Sequence, residues 1–511
     1  DLSAMIGYED YYAFWENLSA SRDQYELMNF PYLDIGPENL RDNGGNAEEY
    51  AYRSFFGRIA YSYASRYLLQ VNFRRDGSSR FAPDSRWANF PSLSAGWVVS
   101  EEQFMKNLNW NWLSFLKLRG SWGTLGNERI TMTKNSSTVQ NYYPYQSALN
   151  FGSALFYSGN SLNSLLSAAQ QYYAVRNISW ETTETWDIGL DANFLDGRLH
   201  FSGDFYKKKT KDMLLALEIP KFIGYDNPSV NTGNMHTTGY DLEIGWRDQV
   251  GDFRYSVSAN LSDFISKMGN LGGTEFLGEK VKMEGSQFDE WYGYISDGLF
   301  QTQEEVDNSP KLNNNVTVGD IKYKDISGPD GVPDGKISSE YDRVLLGGSL
   351  PRYMFGVNFS ASYKGFDFSM MFQGVGSQNS RISRNMIEGL NTNWGGFPSI
   401  LEGDYWSSNN TAAENAGVKY PRLTRNSVDA NMSMSDYWMF NGRYLRMKNL
   451  TVGYTLPGVW TKKISMESVR FYLSGNDLFC LSKYPRGWDP EVSTTGYPIT
   501  MSVLLGVSVN F

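Results

Sequence analysis

The sequence has very little of the reactive chemistry on which many enzymes and secreted proteins depend. Its 511 residues include one cysteine, Cys480, and two histidines, His200 and His236. A single cysteine excludes a disulfide bond within the chain, and two histidines leave few positions for a zinc site or for an activated nucleophile. Motifs of serine hydrolases, zinc proteases and complete phosphate-binding loops are absent. We therefore expect a protein that is not an enzyme, with no catalytic residue and no required cofactor.

Long apolar runs and strongly basic segments are absent as well. No run of 18 or more apolar residues occurs, which excludes transmembrane helices. Charged residues make up 20% of the chain, and 56 acidic residues outnumber 46 basic ones. The longest basic run, Lys207–Lys209, is too short for the basic face that nucleic-acid binding needs. We expect no nucleic-acid partner.

Aromatic residues and glycine, in contrast, are abundant. Aromatics make up 15% of the chain, with 34 Tyr, 30 Phe and 15 Trp, and there are 49 Gly. Transmembrane β-barrels carry aromatic girdles at both membrane interfaces, and their strands alternate apolar and polar residues, so that their average hydropathy is not high. A large soluble all-β protein shares the alternation. Composition alone therefore leaves both open.

Alternation of period two runs along the whole chain and is clearest at its end. Val503, Leu505, Val507, Val509 and Phe511 fall on one side of the last segment, opposite Ser502, Gly506, Ser508 and Asn510. The same pattern recurs over residues 55–63, 67–73, 116–122, 186–194, 240–246 and 355–363. Such segments approach the ~9–11 residues with which a tilted strand crosses a bilayer.

The connections between these segments alternate between tight and long. Tight ones include Ala64–Arg66 and Lys364–Gly365, whereas long ones span residues 265–350 and 376–442. This asymmetry is typical of outer-membrane barrels, which have short periplasmic turns and long extracellular loops. The pattern predicts an all-β, transmembrane antiparallel barrel over residues 53–511. An odd count of about 13 strands predicts that Asp1 lies outside the cell and that residues 1–52 form an extracellular loop segment.

Several segments together resemble one family, the SusC/RagA TonB-dependent outer-membrane transporters. They include LKLRGSWGTLGN, GDIKYKDISGPDGVPDGKI, YPRL, NGRYLRMKNLTVGYTLP and SVRFYLSGNDLF, at residues 116–127, 319–337, 420–423, 441–457 and 468–479. Residues 55–104 also resemble the middle of the family's barrel, and the last strand of the family ends on an aromatic residue, as here at Phe511. The resemblance covers the chain from about residue 52 to its end.

The resemblance implies a barrel of about 22 strands with a plugged lumen, of which this chain is the C-terminal portion. In the family the plug, the TonB-contacting segment and the first strands are N-terminal, so we expect them upstream of Asp1. It further implies membrane lipid around the barrel, a SusD-like surface lipoprotein as a lid, and energy from TonB. It allows a dimer of two transporter–lipoprotein pairs. The expected location is the outer membrane of a Gram-negative bacterium of the Bacteroidetes type, and the expected role is import of an oligosaccharide or peptide.

Aromatic residues in the long connections are the candidates for ligand contact. Aromatic faces stack on sugar rings or cover peptide side chains, and they also pack loops against one another. The candidates are Trp291, Tyr292, Tyr294, Trp394, Trp406, Trp438 and Trp488. The inward polar side chains of the strands have a simpler expected role, contact with the plug.

Two further features carry an expectation. Asp330, Asp334 and Asp342 lie in an acidic, glycine-containing loop, and clustered carboxylates around a glycine turn favour Ca²⁺. Val332 occupies a ligand position of the strict calcium-loop pattern, so a solvated turn-rich loop is the alternative. Phe511, an aromatic residue at the end of an alternating strand, resembles the signal that the barrel-assembly machinery reads, and it also suits a place in the aromatic belt.

Two other functions stay open at this point. One is a receptor or adhesin barrel that binds without transporting. The other is a secreted all-β carbohydrate-active hydrolase that uses paired carboxylates. A barrel requires detergent for extraction and a soluble hydrolase does not, so this simple property separates the second alternative from the first.

Overall fold

The computed structural model describes residues 1–134, 137–159, 161–170, 173–216, 222, 224–225, 227–388, 397–425 and 428–511. Within these ranges the strands are β1 (Leu2–Arg22), β2 (Arg41–Tyr63), β3 (Tyr67–Ser78), β4 (Trp87–Val98), β5 (Leu113–Asn127), β6 (Thr131–Lys134), β7 (Ser137–Gln140), β8 (Asn150–Ser158), β9 (Ser161–Ala169), β10 (Glu181–Phe194), β11 (Leu199–Lys211), β12 (Leu214–Ala216), β13 (Ser229–Asn231), β14 (Asn234–Val250), β15 (Phe253–Met268), β16 (Glu275–Leu277), β17 (Lys280–Lys282), β18 (Glu290–Tyr294), β19 (Ser296–Leu299), β20 (Ile321–Tyr323), β21 (Arg343–Gly347), β22 (Arg352–Tyr363), β23 (Phe366–Ser377), β24 (Asn379–Arg381), β25 (Met439–Asn441), β26 (Tyr444–Thr455), β27 (Ser468–Ser482) and β28 (Ser502–Asn510).

The helices are all short. They are α1 (Gln103–Asn107), α2 (Gln303–Asn308), α3 (Arg384–Ile387), α4 (Ala412–Gly417), α5 (Val428–Met432) and α6 (Gly458–Thr461), with 3₁₀ turns at Glu38–Leu40, Val99–Glu101, Ser399–Leu401, Asp436–Trp438 and Lys462–Ile464. In the described part of the chain, no helix has the length and apolar character needed to cross a membrane.

One antiparallel sheet of 14 strands dominates the fold. Its order is β1-β2-β3-β4-β5-β10-β11-β14-β15-β22-β23-β26-β27-β28. Each strand of this sheet pairs with the next of its strands along the chain, which makes the sheet a simple up-and-down meander. The described residues contain no ladder that joins β1 to β28. The remaining strands form small sheets within the long connections.

The tightest connections lie at one edge of this sheet, the short edge, and the longest lie at the other, the long edge. At the short edge, the turns after β2 and β22 each have two successive residues of positive φ: Ala64 and Ser65 have φ of 51° and 57°, and Lys364 and Gly365 have φ of 46° and 87°. Positive φ at both central positions matches the twist of the flanking strands and closes the tightest hairpins. The predicted alternation of tight and long connections is therefore confirmed.

The first 52 residues differ from the prediction. Leu2–Arg22 form β1, which pairs with β2 in unbroken register from Leu2 opposite Tyr61 to Arg22 opposite Arg41. The predicted loop over residues 1–52 is wrong for these two strands. The two strands of this hairpin are 21 and 23 residues long, about twice what crossing a bilayer requires. Along the outer half of the hairpin both faces meet solvent, so the sequence there lacks period two.

The extra strand also reverses the predicted position of Asp1. The Asp1 ammonium group donates a hydrogen bond of 2.7 Å to the Ser62 carbonyl, beside the tight turn after β2. The other end of the chain lies at the same edge, where the Glu467 amide donates to the Asn510 carbonyl at 2.8 Å. Fourteen strands are an even number, so both ends of the chain lie at the short edge. The prediction that Asp1 lies outside the cell, at the edge that carries the long connections, is wrong.

The two faces of the sheet have opposite chemistry. On β3, Leu69, Val71 and Phe73 are exposed on one face. On the other face, the Asn72 amide donates a hydrogen bond of 3.0 Å to the Ser92 hydroxyl of β4. Farther along, Arg119 on the polar face of β5 pairs with Asp191 and Asp204 of β10 and β11. An apolar outer face and a polar, hydrogen-bonded inner face are the pattern of a membrane barrel.

A lysine on the apolar face is expected to destabilise the barrel, because this face meets lipid. Val71→Lys should lower the free energy of unfolding by about 2–4 kcal/mol, the effect of a basic residue near the bilayer midplane. Gln70→Lys, one position away on the polar face, is the matched control and should change it much less. Guanidinium unfolding of the protein in lipid vesicles measures both. Equal effects at the two positions would contradict the assignment of faces.

Candidate functional site

Three of the long connections pack together around a common hydrophobic core. Buried residues from the connections β15–β22 (residues 269–351), β23–β26 (378–443) and β27–β28 (483–501) form this cluster, which we call the loop core. Its members are Tyr294, Ile321, Tyr323, Ile337, Ile382, Ile387, Met432, Trp438 and Tyr484. Because three connections contribute, each is held in place by the other two.

Trp438 is the largest side chain at the centre of the loop core. It is fully buried, and its Nε1 donates a hydrogen bond of 2.7 Å to the Asn431 carbonyl. Its ring stacks on Tyr420, with 5.8 Å between centroids and 19° between planes. Because its N–H group is hydrogen-bonded, burial of the indole leaves no polar group unsatisfied, and the whole ring contributes to packing.

A buried ionic network lies beside Trp438 and joins two connections. Asp320 is fully buried and accepts hydrogen bonds from Arg422 Nε at 2.8 Å and from Asn431 Nδ2 at 2.9 Å. The Thr317 amide also donates to Asp320, at 2.8 Å. A buried carboxylate requires such partners, so the geometry of both connections depends on this residue. The network brings the GDIKY and YPRL segments of the sequence into direct contact.

Two further buried groups strengthen the loop core. The Tyr323 hydroxyl donates a hydrogen bond of 2.7 Å to the Ala430 carbonyl, and burial raises the pKa of Tyr323, which keeps it protonated as a donor. Arg381 is buried, donates to the Met432 carbonyl at 2.9 Å and pairs with Glu279 at 2.9 Å. Burial lowers the pKa of Arg381, and the carboxylate of Glu279 opposes this effect.

The candidate aromatics divide into two groups. Trp438 and Tyr294 are buried members of the loop core, so in this structure they pack the connections and present no ring to a ligand. Trp488 is partly buried against the same core. Trp406 is partly buried over Gly319. Trp394 lies outside the described residues.

Trp291 and Tyr292 lie on β18 and are likewise only partly buried. Trp291 Nε1 donates to the Asn379 carbonyl at 3.0 Å, and the Lys280 ammonium lies 4.7 Å from its ring centroid. The guanidinium of Arg343 lies 4.9 Å from the Tyr292 ring. Paired aromatic and cationic groups fix the ring orientations. Ligand contact by Trp291, Tyr292, Trp406 and Trp488 stays a prediction.

The acidic loop is organised by its own backbone. Asp342 is fully buried, and its two oxygens accept hydrogen bonds from the amides of Ile326, Ser327 and Ser338. Asp330 and Asp334 are exposed. Across the described ranges, the structure has no group of three or more His, Cys, Asp or Glu side chains placed to hold a metal. The calcium site stays a prediction, and Asp342 already has a structural role.

Comparison with known proteins shows the family to which this chain belongs. A family model described as "TonB dependent receptor-like, beta-barrel" matches residues 3–478. The chain belongs to this family. Two TonB-dependent receptors of Formosa agariphila, P26 and P3, are 31% and 30% identical over 90% and 86% of the chain. SusC of Bacteroides thetaiotaomicron is 28% identical over 92% of it.

A solved structure has a fold similar to that of this chain. The structure titled "Structure of the RagAB peptide transporter" matches 100% of this chain with a TM-score of 0.79 at 23% identity, over 53% of its own chain. The three curated relatives are covered over 46%, 42% and 45% of their lengths. The chain therefore spans about half the length of its relatives. The predicted family and the outer-membrane barrel class are confirmed.

Sequence reasoning missed Asp320, Arg422 and Arg381. The first two lie inside segments that already carried the family resemblance, GDIKY and YPRL. An acid and an arginine within apolar motifs of long connections are a signal for a buried pair, although only the fold shows that the two motifs meet. Gly319 completes the arrangement, because it has φ of 86° and a Cβ there would overlap the Trp406 ring.

Removal of the Trp438 side chain is expected to loosen the connections and leave the barrel intact. Trp438→Ala should destabilise the loop core by about 3–5 kcal/mol, as Trp-to-Ala changes in cores do. Limited trypsin digestion of the detergent-solubilised protein should then cleave within residues 269–351 and 378–443. Trp460→Ala, at an exposed site of α6 on the short edge, is the matched control. Wild-type resistance in Trp438→Ala would disprove the dependence on the loop core.

Proposed function

We propose that the protein to which this chain belongs is a TonB-dependent importer of an oligosaccharide or peptide that works with a SusD-like surface lipoprotein. The observation that carries this proposal is the arrangement of the chain: a packed loop core stands over one edge of a membrane sheet whose inner face is polar. A ligand bound at the loops would leave along that face. The proposed host is a Gram-negative bacterium of the Bacteroidetes type, the source of relatives in Formosa and Bacteroides.

The partly exposed aromatic residues of β18 support the proposed substrate class, an oligosaccharide or peptide. Trp291 and Tyr292 offer ring faces next to Lys280 and Arg343. Rings stack on sugars. Adjacent cations donate hydrogen bonds to sugar hydroxyls or peptide carboxylates, and adjacent carbonyls accept hydrogen bonds from sugar hydroxyls. The relative titled RagAB is a peptide transporter. Its title adds peptides to the candidate ligands without excluding sugars.

An exposed apolar surface supports a protein partner at the long edge. The hairpin of β8 and β9 lies in a stretch, residues 135–175, that has no charged side chain. Five large apolar residues on one of its faces are each more than half exposed: Phe151, Leu155, Tyr157, Leu162 and Leu166. Exposed apolar patches of this kind mark contacts with other proteins, and a lid lipoprotein fits this position.

Transport in this proposal is conformational and includes no covalent step. Ligand, lid and TonB shift an equilibrium between closed and open states only through their different contacts with the two states. The charged inner face, which includes Arg119 with Asp191 and Asp204, contacts the plug in the closed state.

Uptake measurements test the proposal. Cells that express the whole transporter and its lipoprotein should take up labelled oligosaccharides or labelled peptides from a tryptic digest, and deletion of TonB should abolish uptake. Trp291→Ala should weaken apparent affinity about tenfold, the effect of roughly 1.4 kcal/mol of lost stacking, whereas Trp460→Ala should not. Surface binding without TonB-dependent uptake would instead establish a receptor or adhesin.

A further inference from the structure

The last connection is attached to the barrel wall by a compact group of charges. On the wall, β26 contributes Arg446 and Lys448, and β27 contributes Asp477. The connection contributes Asp489 and Glu491. Arg446 lies 2.5 Å from Asp489 and 2.9 Å from Glu491, and Lys448 lies 3.0 Å from Asp477 and 2.9 Å from Glu491. Glu491 thus bridges both cations.

These charges are largely removed from solvent. The side-chain exposure of Arg446 is 4%, and those of Asp489 and Glu491 are 16% and 13%. Two cations face three carboxylates, so each pair depends on the others for compensation. Ion pairs withdrawn from water are strongly coupled, because loss of one member leaves an uncompensated charge. The connection is therefore held to the wall at this point by charge, while the neighbouring Trp488 packs against the loop core.

The wall is irregular where the charges gather. The register between β26 and β27 shifts between Met447 and Asn449, and Asp477 has φ of 50°. A non-glycine residue in this region is strained, and such residues cluster at clamps and switches. Arg446 and Lys448, two positions apart on β26, share a face as in any strand. The bulge brings Asp477 to the same group, although a regular ladder would place it on the other face.

Other residues of this connection attach it to the loop core and to the connection between β23 and β26, and some are exposed. Tyr484 belongs to the loop core, and the Ser383 amide donates to Thr494 Oγ1 at 3.1 Å. Between them, Gly487 has φ of 92° with open space around it. Beyond them, Tyr497 is 85% exposed. Between these two fixed points the segment 485–493 contacts the wall through its charges and the loop core through Trp488, so it moves away from the wall only when both contacts separate.

We propose that residues 485–493 form an ion-latched strap on the inner wall of the barrel, closed by Asp489 and Glu491 on Arg446 and Lys448, and that the strap opens during transport. The opening rests on the proposed transport function, whereas the closed latch does not. A closed strap narrows the path from the loop core to the polar face. Separation of the charges, together with withdrawal of Trp488 from the edge of the loop core, releases it without unfolding the barrel.

Cys480 is a natural reporter of the strap. It is directly opposite Arg446 in the ladder between β26 and β27, and opposite residues of antiparallel strands share a face. It is also the single cysteine of the chain and is partly buried. Its thiol therefore lies on the face that the strap covers, and a closed strap should protect it from reagents.

Maleimide labelling of Cys480 in cells that express the whole transporter tests the latch. Asp489→Asn with Glu491→Gln neutralises the strap and leaves the wall unchanged, so labelling should become at least tenfold faster. Glu284→Gln with Glu402→Gln, which neutralises two exposed acids of other connections, is the matched control and should label like wild type. Cys480→Ser gives the background. Unheated gel migration reports whether each variant has an assembled barrel.

A second arm separates a moving strap from a fixed anchor. In wild type, labelling should be several-fold faster in energised cells with active TonB than in cells treated with a protonophore. A labelling rate that neutralisation does not change would overturn the latch, and a wild-type rate that energisation does not change would overturn the opening. Faster labelling of the neutralised variant in a protein without TonB-dependent uptake would retain the latch and refute the proposed function alone.

Discussion

Everything in this structure depends on the requirement that backbone N–H and C=O groups find partners inside the protein when water is absent. In a bilayer only helices and closed barrels meet it. This chain meets it with an antiparallel ladder of 14 strands, in which, among the described residues, only the outer edges of β1 and β28 have no partner strand. The tightest turns of the ladder have positive φ, as at Ala64 and Ser65. The ladder fixes the alternation of faces, so the lipid face and the polar face follow from it.

A sheet built in this way has no room for an apolar core of its own, because one face meets lipid and the other is polar. Most of the buried apolar side chains lie instead in the connections, where Trp438 and its neighbours form the loop core. Asp320 and Arg422 tie two of these connections together, and Glu491 ties a third to the wall. The candidate ligand surface is therefore supported by packed elements rather than by free loops.

The sequence predicted the sheet well because its alternation reflects the same two faces that the membrane imposes. It failed for β1, since adjacent aromatics such as Tyr11 and Tyr12 occupy both faces of a strand that extends beyond the membrane. It left Trp438 undecided, because burial depends on which connections meet. The sequence did not predict the strap charges either. Arg446 and Asp489 are 43 residues apart, and the bulge that brings Asp477 to them leaves no mark in the alternation of apolar and polar residues.

The most direct test of the central claim measures the two faces of one strand. Single spin labels placed at each position from 186 to 191 of β10, in a Cys480→Ser background and in lipid vesicles, report collisions with oxygen and with a water-soluble nickel chelate. Oxygen collisions should peak at Trp186, Ile188 and Leu190, and nickel collisions at Asp187, Gly189 and Asp191. Equal accessibility to both reagents at all six positions would contradict a membrane-spanning strand with one lipid face and one polar face.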